Sequence, residues 1–145
     1  MTWMMKQIER LARKSGAFEP EDVIIDGIAG HVRSTISAGA ELPLTRARKI
    51  GKVRLLSQHL ISVICFSERK LVFVGDRKMF TSDLAHMSHI DRNSETVLTI
   101  SCMTPQLYQI SLDVISSQDA DRFIGVLRHE RDRRRQALDE SWVQP

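Results

Sequence analysis

Three observations predict one mainly β domain with a helix at each end. Turn signals recur about every ten residues, apolar and polar residues alternate between them, and the period becomes helical after Ser116. This spacing of turns is typical of an all-β sandwich or barrel. The chain has 145 residues, of which 42% are apolar and 27% are charged, and these values fit a single globular domain.

The first 16 residues predict an N-terminal amphipathic helix that stops at Ser15-Gly16. Apolar residues recur at steps of three and four, so they share one face of the helix. The residues that could contact a membrane or a partner are Trp3, Met4, Ile8 and Leu11. This face either docks on the rest of the domain or lies on an anionic membrane with Trp3 at the interface. Docking is favoured, because the helix is short and its positive face is weak.

Residues 22 to 33 predict a long first strand, in which Gly27 and Gly30 allow a bend or a bulge. Residues 60 to 75 then predict the central hairpin, two apolar runs joined by the polar turn 67–70. Both faces of the first run, 61–66, are largely apolar, so we expect this strand to be covered on both sides.

The later segments predict a short turn that feeds a strand at 83–91, and half-buried strands at 97–103 and 108–113. A capping sequence at Ser116 to Asp119 then starts a C-terminal helix with one narrow apolar face. We assign residues 17–130 to the domain and 131–145 to an arginine-rich tail. The tail either continues the helix or packs separately.

The strongest local charge bias lies between Glu41 and Glu68, where no acidic residue occurs. Five cations cluster there within nine positions: Arg46, Arg48, Lys49, Lys52 and Arg54. A loop or strand edge with this charge would bind phosphates, on lipid or on nucleic acid. The alternative is that these cations only keep a loop soluble.

No catalytic signature occurs in the sequence, so we expect neither an enzyme nor a small-molecule substrate or cofactor. His86 and His89 are the only metal-like pair, and they lack a third ligand at a suitable spacing, so no metal site is expected. Cys65 and Cys102 lie in apolar runs, which is typical of reduced core thiols in a cytoplasmic protein. No membrane-spanning stretch or signal peptide is evident, so a cytoplasmic protein that touches a membrane surface is consistent with the sequence.

The turn Phe66-Ser67-Glu68-Arg69-Lys70-Leu71 resembles the Thr-Asp/Glu-Arg-Arg/Lys-Leu turn of bacterial pleckstrin-homology-like domains, including the GRAM-related group. Residues 18–24 resemble the entry to the first strand in that family, residues 82–87 resemble a segment downstream of the hairpin, and residues 119–127 resemble its final helix. The likeness covers residues 18 to 130.

The resemblance implies a strongly bent antiparallel sheet, or partly open barrel, of about seven strands that a C-terminal helix caps. It also implies a non-enzymatic module that binds proteins or self-associates, because an open barrel leaves strand edges to pair. Eukaryotic relatives often bind phosphoinositides through a lysine and a basic-x-Arg pair, and Lys49, Lys52 and Arg54 can be laid on that pattern. Peripheral binding to anionic lipid is therefore the first alternative. Nucleic-acid binding through the same cations and the cluster 131–135 is the second.

Overall fold

The computed structural model describes residues 3–37, 62–75, 78–103 and 107–143. Their elements in chain order are α1 (Trp3–Lys14), β1 (Asp26–Ser37), β2 (Ser62–Phe66), β3 (Lys70–Gly75), β4 (Lys78–Asp83), a 3₁₀ turn (Leu84–His86), β5 (Met87–Arg92), β6 (Val97–Met103), β7 (Leu107–Val114) and α2 (Ser117–Val143).

The seven strands form one antiparallel sheet in the order β4-β3-β2-β1-β7-β6-β5. The sheet does not close, so β4 and β5 are its two edges in the part of the chain that the structure describes. The predicted fold class is confirmed: mainly β, about seven strands, open, with one helix at each end. This arrangement is compatible with the pleckstrin-homology-like fold.

β1 joins the two halves of the sheet. It pairs with β2 from Asp26 to Gly30 and with β7 from Gly30 to Ser37. Gly30 stands where the partner changes, and a Cβ there would lie 2.4 Å from the carbonyl oxygen of Asp113, so only glycine lets β7 approach this closely. The bulge itself lies between Val32 and Ser34 rather than at a glycine.

The predicted start of the first strand, Asp22, is four residues too early. The run Asp22 to Ile25 is rich in β-branched residues, but it lies outside the strand ladder. Val23 is 73% exposed, and the Ile25 N–H donates to the Phe66 carbonyl at 2.8 Å just before the regular pairing begins. The strand then continues to Ser37, beyond the predicted end at Arg33.

β2 and β3 separate two hydrophobic cores, one on each face of the sheet. Ile64 and Phe66 point toward the core that contains α2, whereas Val63 and Cys65 point toward the core that contains α1. All four side chains are buried. The prediction that β2 is covered on both faces is therefore confirmed. The second face is covered because α1 docks on it, and we name this side of the sheet the outer face and its core the outer core.

α1 docks on β1, β2 and β3 through its apolar face. Ile8, Leu11 and Ala12 are buried against Val63, Cys65 and other outer-face residues. Gly27 makes this contact close, because a Cβ there would lie 2.7 Å from Ile8 Cγ2 and 3.0 Å from Cys65 Cβ. Of the two predicted alternatives, the structure therefore shows the first, in which the helix docks on the domain.

The first eleven residues of α2 cover the open end of the core that contains Ile64 and Phe66, which we name the inner core. Ala120, Phe123 and Leu127 are fully buried, and the Phe123 ring meets Phe66 edge-on at a centroid distance of 5.7 Å. Arg122 anchors this half of the helix through two bonds, 3.0 and 3.1 Å long, to the buried carboxylate of Asp26. The helix then continues without a break through the arginine-rich segment to Val143.

Candidate interaction surfaces

The predicted basic segment lies outside the described residues. Its five cations are Arg46, Arg48, Lys49, Lys52 and Arg54. Anion binding by this segment therefore stays a prediction.

The apolar residues predicted to contact a membrane or a partner lie on the docked side of α1. Ile8 and Leu11 are buried in the outer core, and Met4 is half-buried against it. Trp3 is the first residue of α1. Binding a membrane through Ile8 and Leu11 would require α1 to leave the sheet, and this use of the helix stays a prediction.

The opposite side of α1 carries an exposed row of cations, which belong to the positive face predicted from the sequence. Lys6, Arg10 and Lys14 recur every four residues, so they form one ridge, which we name the cationic ridge. None of the three forms an ion pair with a described residue. The neighbouring Arg13 is held in place instead, because its guanidinium donates to the carbonyls of Glu19 and Asp22 and lies 3.8 Å from the Glu9 carboxylate.

The arginines of α2 bind the edge of the sheet. Arg128 donates to the Ile90 carbonyl at 2.9 Å, and Arg131 donates to the Ser88 carbonyl at 3.2 Å. Arg135 donates to the carbonyls of Ala85 and Met87 at 3.0 and 2.9 Å. These three arginines form one stripe of the helix, and we name them the arginine clamp.

The clamp closes the free edge of β5. The Asn93 N–H donates to the Val97 carbonyl, which fixes the alternation of the β5–β6 ladder and turns the backbone groups of Ile90 away from β6. Ser88 lies at the register shift between Met87 and His89. The clamp therefore fills two acceptors, the carbonyls of Ser88 and Ile90, that a pairing strand would use.

Arg134 forms a second anchor beside the clamp. Its guanidinium binds both carboxylate oxygens of Asp83, at 3.2 and 2.8 Å, and Asp83 also caps the 3₁₀ turn by accepting from the Ala85 N–H. Partial burial raises the pKa of the Asp83 carboxyl, but the bonds from Arg134 and Ala85 outweigh it, so the pKa lies below its usual value. The hydrogen bonds to Asp83 raise the pKa of Arg134.

The other edge strand, β4, has free backbone groups. The Leu84 N–H donates to the Arg69 carbonyl, and with the observed register this fixes which β4 residues face β3. By alternation, Met79, Thr81 and Asp83 turn their N–H and carbonyl groups away from β3. Thr81 is also exposed, and no described residue bonds to its backbone on this side.

The hairpin turn that carries the family resemblance has a structural role. The Ser67 hydroxyl accepts from the N–H groups of Arg69 and Lys70 at 3.3 and 3.2 Å, as the threonine of the family pattern also could. The Lys70 ammonium donates to the Ala17 carbonyl at 3.1 Å and pairs with Asp22 at 3.5 Å. The turn therefore holds the segment between α1 and β1.

The candidate ligand and thiol residues do not converge. His86 lies in the 3₁₀ turn and His89 in β5, both exposed, and no group of three metal-ligating side chains occurs among the described residues. Burial raises the pKa of the Cys65 thiol far above its ordinary value and that of Cys102 to about 12. Neither α1 nor α2 is both long and apolar enough to cross a membrane.

No protein-family model matches the chain, and no curated protein matches it in sequence. Function is therefore inferred from the surfaces described above.

Proposed function

We propose that this protein is a pleckstrin-homology-like, non-enzymatic binding module that brings protein chains together, and that it self-associates through the edge of β4. The single observation that carries this proposal is the asymmetry of the open sheet. One edge, β5, has its carbonyls filled by the arginine clamp, whereas β4 offers the outward-facing backbone of Met79 and Thr81.

A second copy is the partner that this edge fits most simply. Two β4 strands related by a twofold axis run antiparallel, so each donates to and accepts from the other. The edge lacks the proline, and Thr81 lacks the charge, with which proteins usually protect such a strand.

Light scattering coupled to size-exclusion chromatography, over a wide range of concentrations, tests the proposal. We expect the mass of the wild type to rise to that of a dimer. Thr81→Pro removes one outward N–H per copy and leaves the β3–β4 ladder bonds intact. Two lost bonds correspond to about 2 kcal/mol, so the dissociation constant should rise about 30-fold.

Thr81→Val is the matched control, because it keeps the N–H and the β propensity. Equal dissociation constants for the proline and valine variants would exclude the β4 edge as the contact. A wild type that stays monomeric at every concentration would exclude self-association altogether.

Two alternatives stay predictions. Peripheral binding to anionic lipid through Arg46, Arg48, Lys49, Lys52 and Arg54 predicts loss of liposome co-sedimentation when Lys49, Lys52 and Arg54 become alanine. Nucleic-acid binding predicts salt-sensitive retention of DNA or RNA. Within the described residues it has little support, because the arginines at 131, 134 and 135 already bind the domain itself.

A further inference from the structure

The side of α1 that faces away from the sheet carries the cationic ridge, whose side chains form no ion pair with a described residue. Lys6, Arg10 and Lys14 are all exposed, whereas the apolar side of the same helix is buried against the sheet. At 1.5 Å per residue, successive ridge cations are about 6 Å apart along the helix, and the ridge spans about 12 Å.

The charge of this surface is strongly one-sided. α1 carries four cations, of which Lys14 is the last, and only one acid. That acid, Glu9, lies beside Arg13 rather than being free to neutralise the ridge. Among the described residues, Lys6, Glu9, Arg10, Arg13 and Lys14 line an open depression of about 540 Å³. The exposed acids Glu19 and Glu21 follow the C-terminal end of the helix, so repulsion of an anion is confined to that end.

We propose that the cationic ridge of docked α1 is a membrane-contact surface, which lies on an anionic lipid bilayer without inserting into it. The ligand chemistry is the phosphate and carboxylate of several lipid headgroups at once. The surface is distinct from the basic segment 46–54, and it is independent of pairing at the β4 edge.

A bilayer fits the ridge better than a protein or a nucleic acid. Protein interfaces depend on buried aromatic and apolar anchors, and the exposed large apolar side chains of the described chain, Val23, Val32 and Met103, all lie outside α1. Single-stranded nucleic acid needs aromatic stacking platforms, and every aromatic side chain that the structure describes is buried. Attraction to an anionic bilayer needs only cations close to its surface.

Vesicle co-sedimentation tests the proposal with vesicles of phosphatidylcholine alone and of phosphatidylcholine with phosphatidylserine. We expect binding only to the anionic vesicles, and weaker binding as salt is raised. The ridge variant combines Lys6→Gln, Arg10→Gln and Lys14→Gln. Each surface cation contributes about five-fold, so this variant should lose about 100-fold in partition coefficient.

The control variant removes the same charge elsewhere, with Arg33→Gln, Arg69→Gln and Arg133→Gln at exposed positions. It should keep most of the binding. Equal losses in the two variants, or a wild type that ignores anionic vesicles at low salt, would overturn the proposal.

Two further outcomes would identify a different ligand or a different mode of membrane binding. Ridge-dependent binding to an oligonucleotide, without binding to anionic vesicles, would assign the ridge to nucleic acid and reject the bilayer. Gly27→Ala weakens the docking of α1, so tighter vesicle binding by this variant would show that the apolar side inserts, which also contradicts a docked, surface-bound helix.

Discussion

The closeness of α1 to β1 at Gly27 gives a quantitative prediction. A methyl group at this position would lie 2.7 Å from Ile8 Cγ2 and 3.0 Å from Cys65 Cβ, and 3.3 Å from the Ile64 carbonyl oxygen. Neither of the two closest atoms is the end of a long flexible chain, so α1 must shift outward. Overpacking of this kind costs about 1–3 kcal/mol, and we expect Gly27→Ala to lower the free energy of unfolding by that amount.

Gly125→Ala is the matched control. Gly125 lies in α2 and is exposed, and a methyl group added there would have no neighbouring atom within 4 Å. The same substitution at this position should raise the free energy of unfolding by about 0.5–1 kcal/mol, because alanine favours the helix. Urea unfolding followed by circular dichroism measures both values.

A double-mutant cycle shows whether Ile8 is the cause. Leucine has no γ2 methyl group, so Ile8→Leu should relieve part of the clash in Gly27→Ala, with a coupling energy of about 1 kcal/mol. If Gly27→Ala proved as harmless as Gly125→Ala, and additive with Ile8→Leu, the docked position of α1 would be wrong.

Three further predictions concern α2. Arg134→Ala should lower the free energy of unfolding by about 1–2 kcal/mol at neutral pH. Folding lowers the pKa of Asp83, so the stability that this pair contributes is fully present above pH 3.8 and is lost as the pH falls through the lower pKa of the folded state. The urea unfolding curves of the variant and the wild type should therefore converge in acid. Phe123→Ala removes a fully buried ring and should cost about 3–5 kcal/mol in the same assay, whereas a loss below about 1 kcal/mol would mean that α2 does not close the inner core. Arg128→Ala with Arg131→Ala should free the β5 carbonyls of Ile90 and Ser88 and give particles larger than a dimer by light scattering. Unchanged particle size would contradict the role of the clamp.

The sequence predicts most of the local structure, because the patterns that encode it are short-range. The alternation in β6 and the cap and apolar stripe of α2 indicate the elements that the structure shows. The start of β1 could not be predicted in this way. Ile24 and Ile25 have the same β propensity as a strand, but Ile24 is buried beneath α1, outside the ladder, and only the tertiary contact decides this.

The surfaces were harder to predict, because their partners are distant in sequence. The sequence predicts an arginine-rich tail that could bind nucleic acid, whereas in the structure Arg131 and Arg135 bind carbonyls more than 40 residues away. The ridge on α1 had a local signal, since Lys6, Arg10 and Lys14 recur every four residues. It becomes distinctive only once the structure shows that the other side of the helix is occupied.

The difference between the two sheet edges also limits the size of any assembly. Strand pairing between a β4 edge and a β5 edge would be heterologous, so each added copy would expose another edge and growth would continue. The arginine clamp fills the β5 carbonyls of Met87, Ser88 and Ile90 and so disfavours pairing at this edge, which leaves β4 with β4 as the favoured pairing among the described strands. That contact is isologous, so the β4 edges of both copies are paired when it forms and neither is left for a third copy. An assembly built in this way stops at two copies, so the same arginines that hold α2 on the sheet would set the stoichiometry.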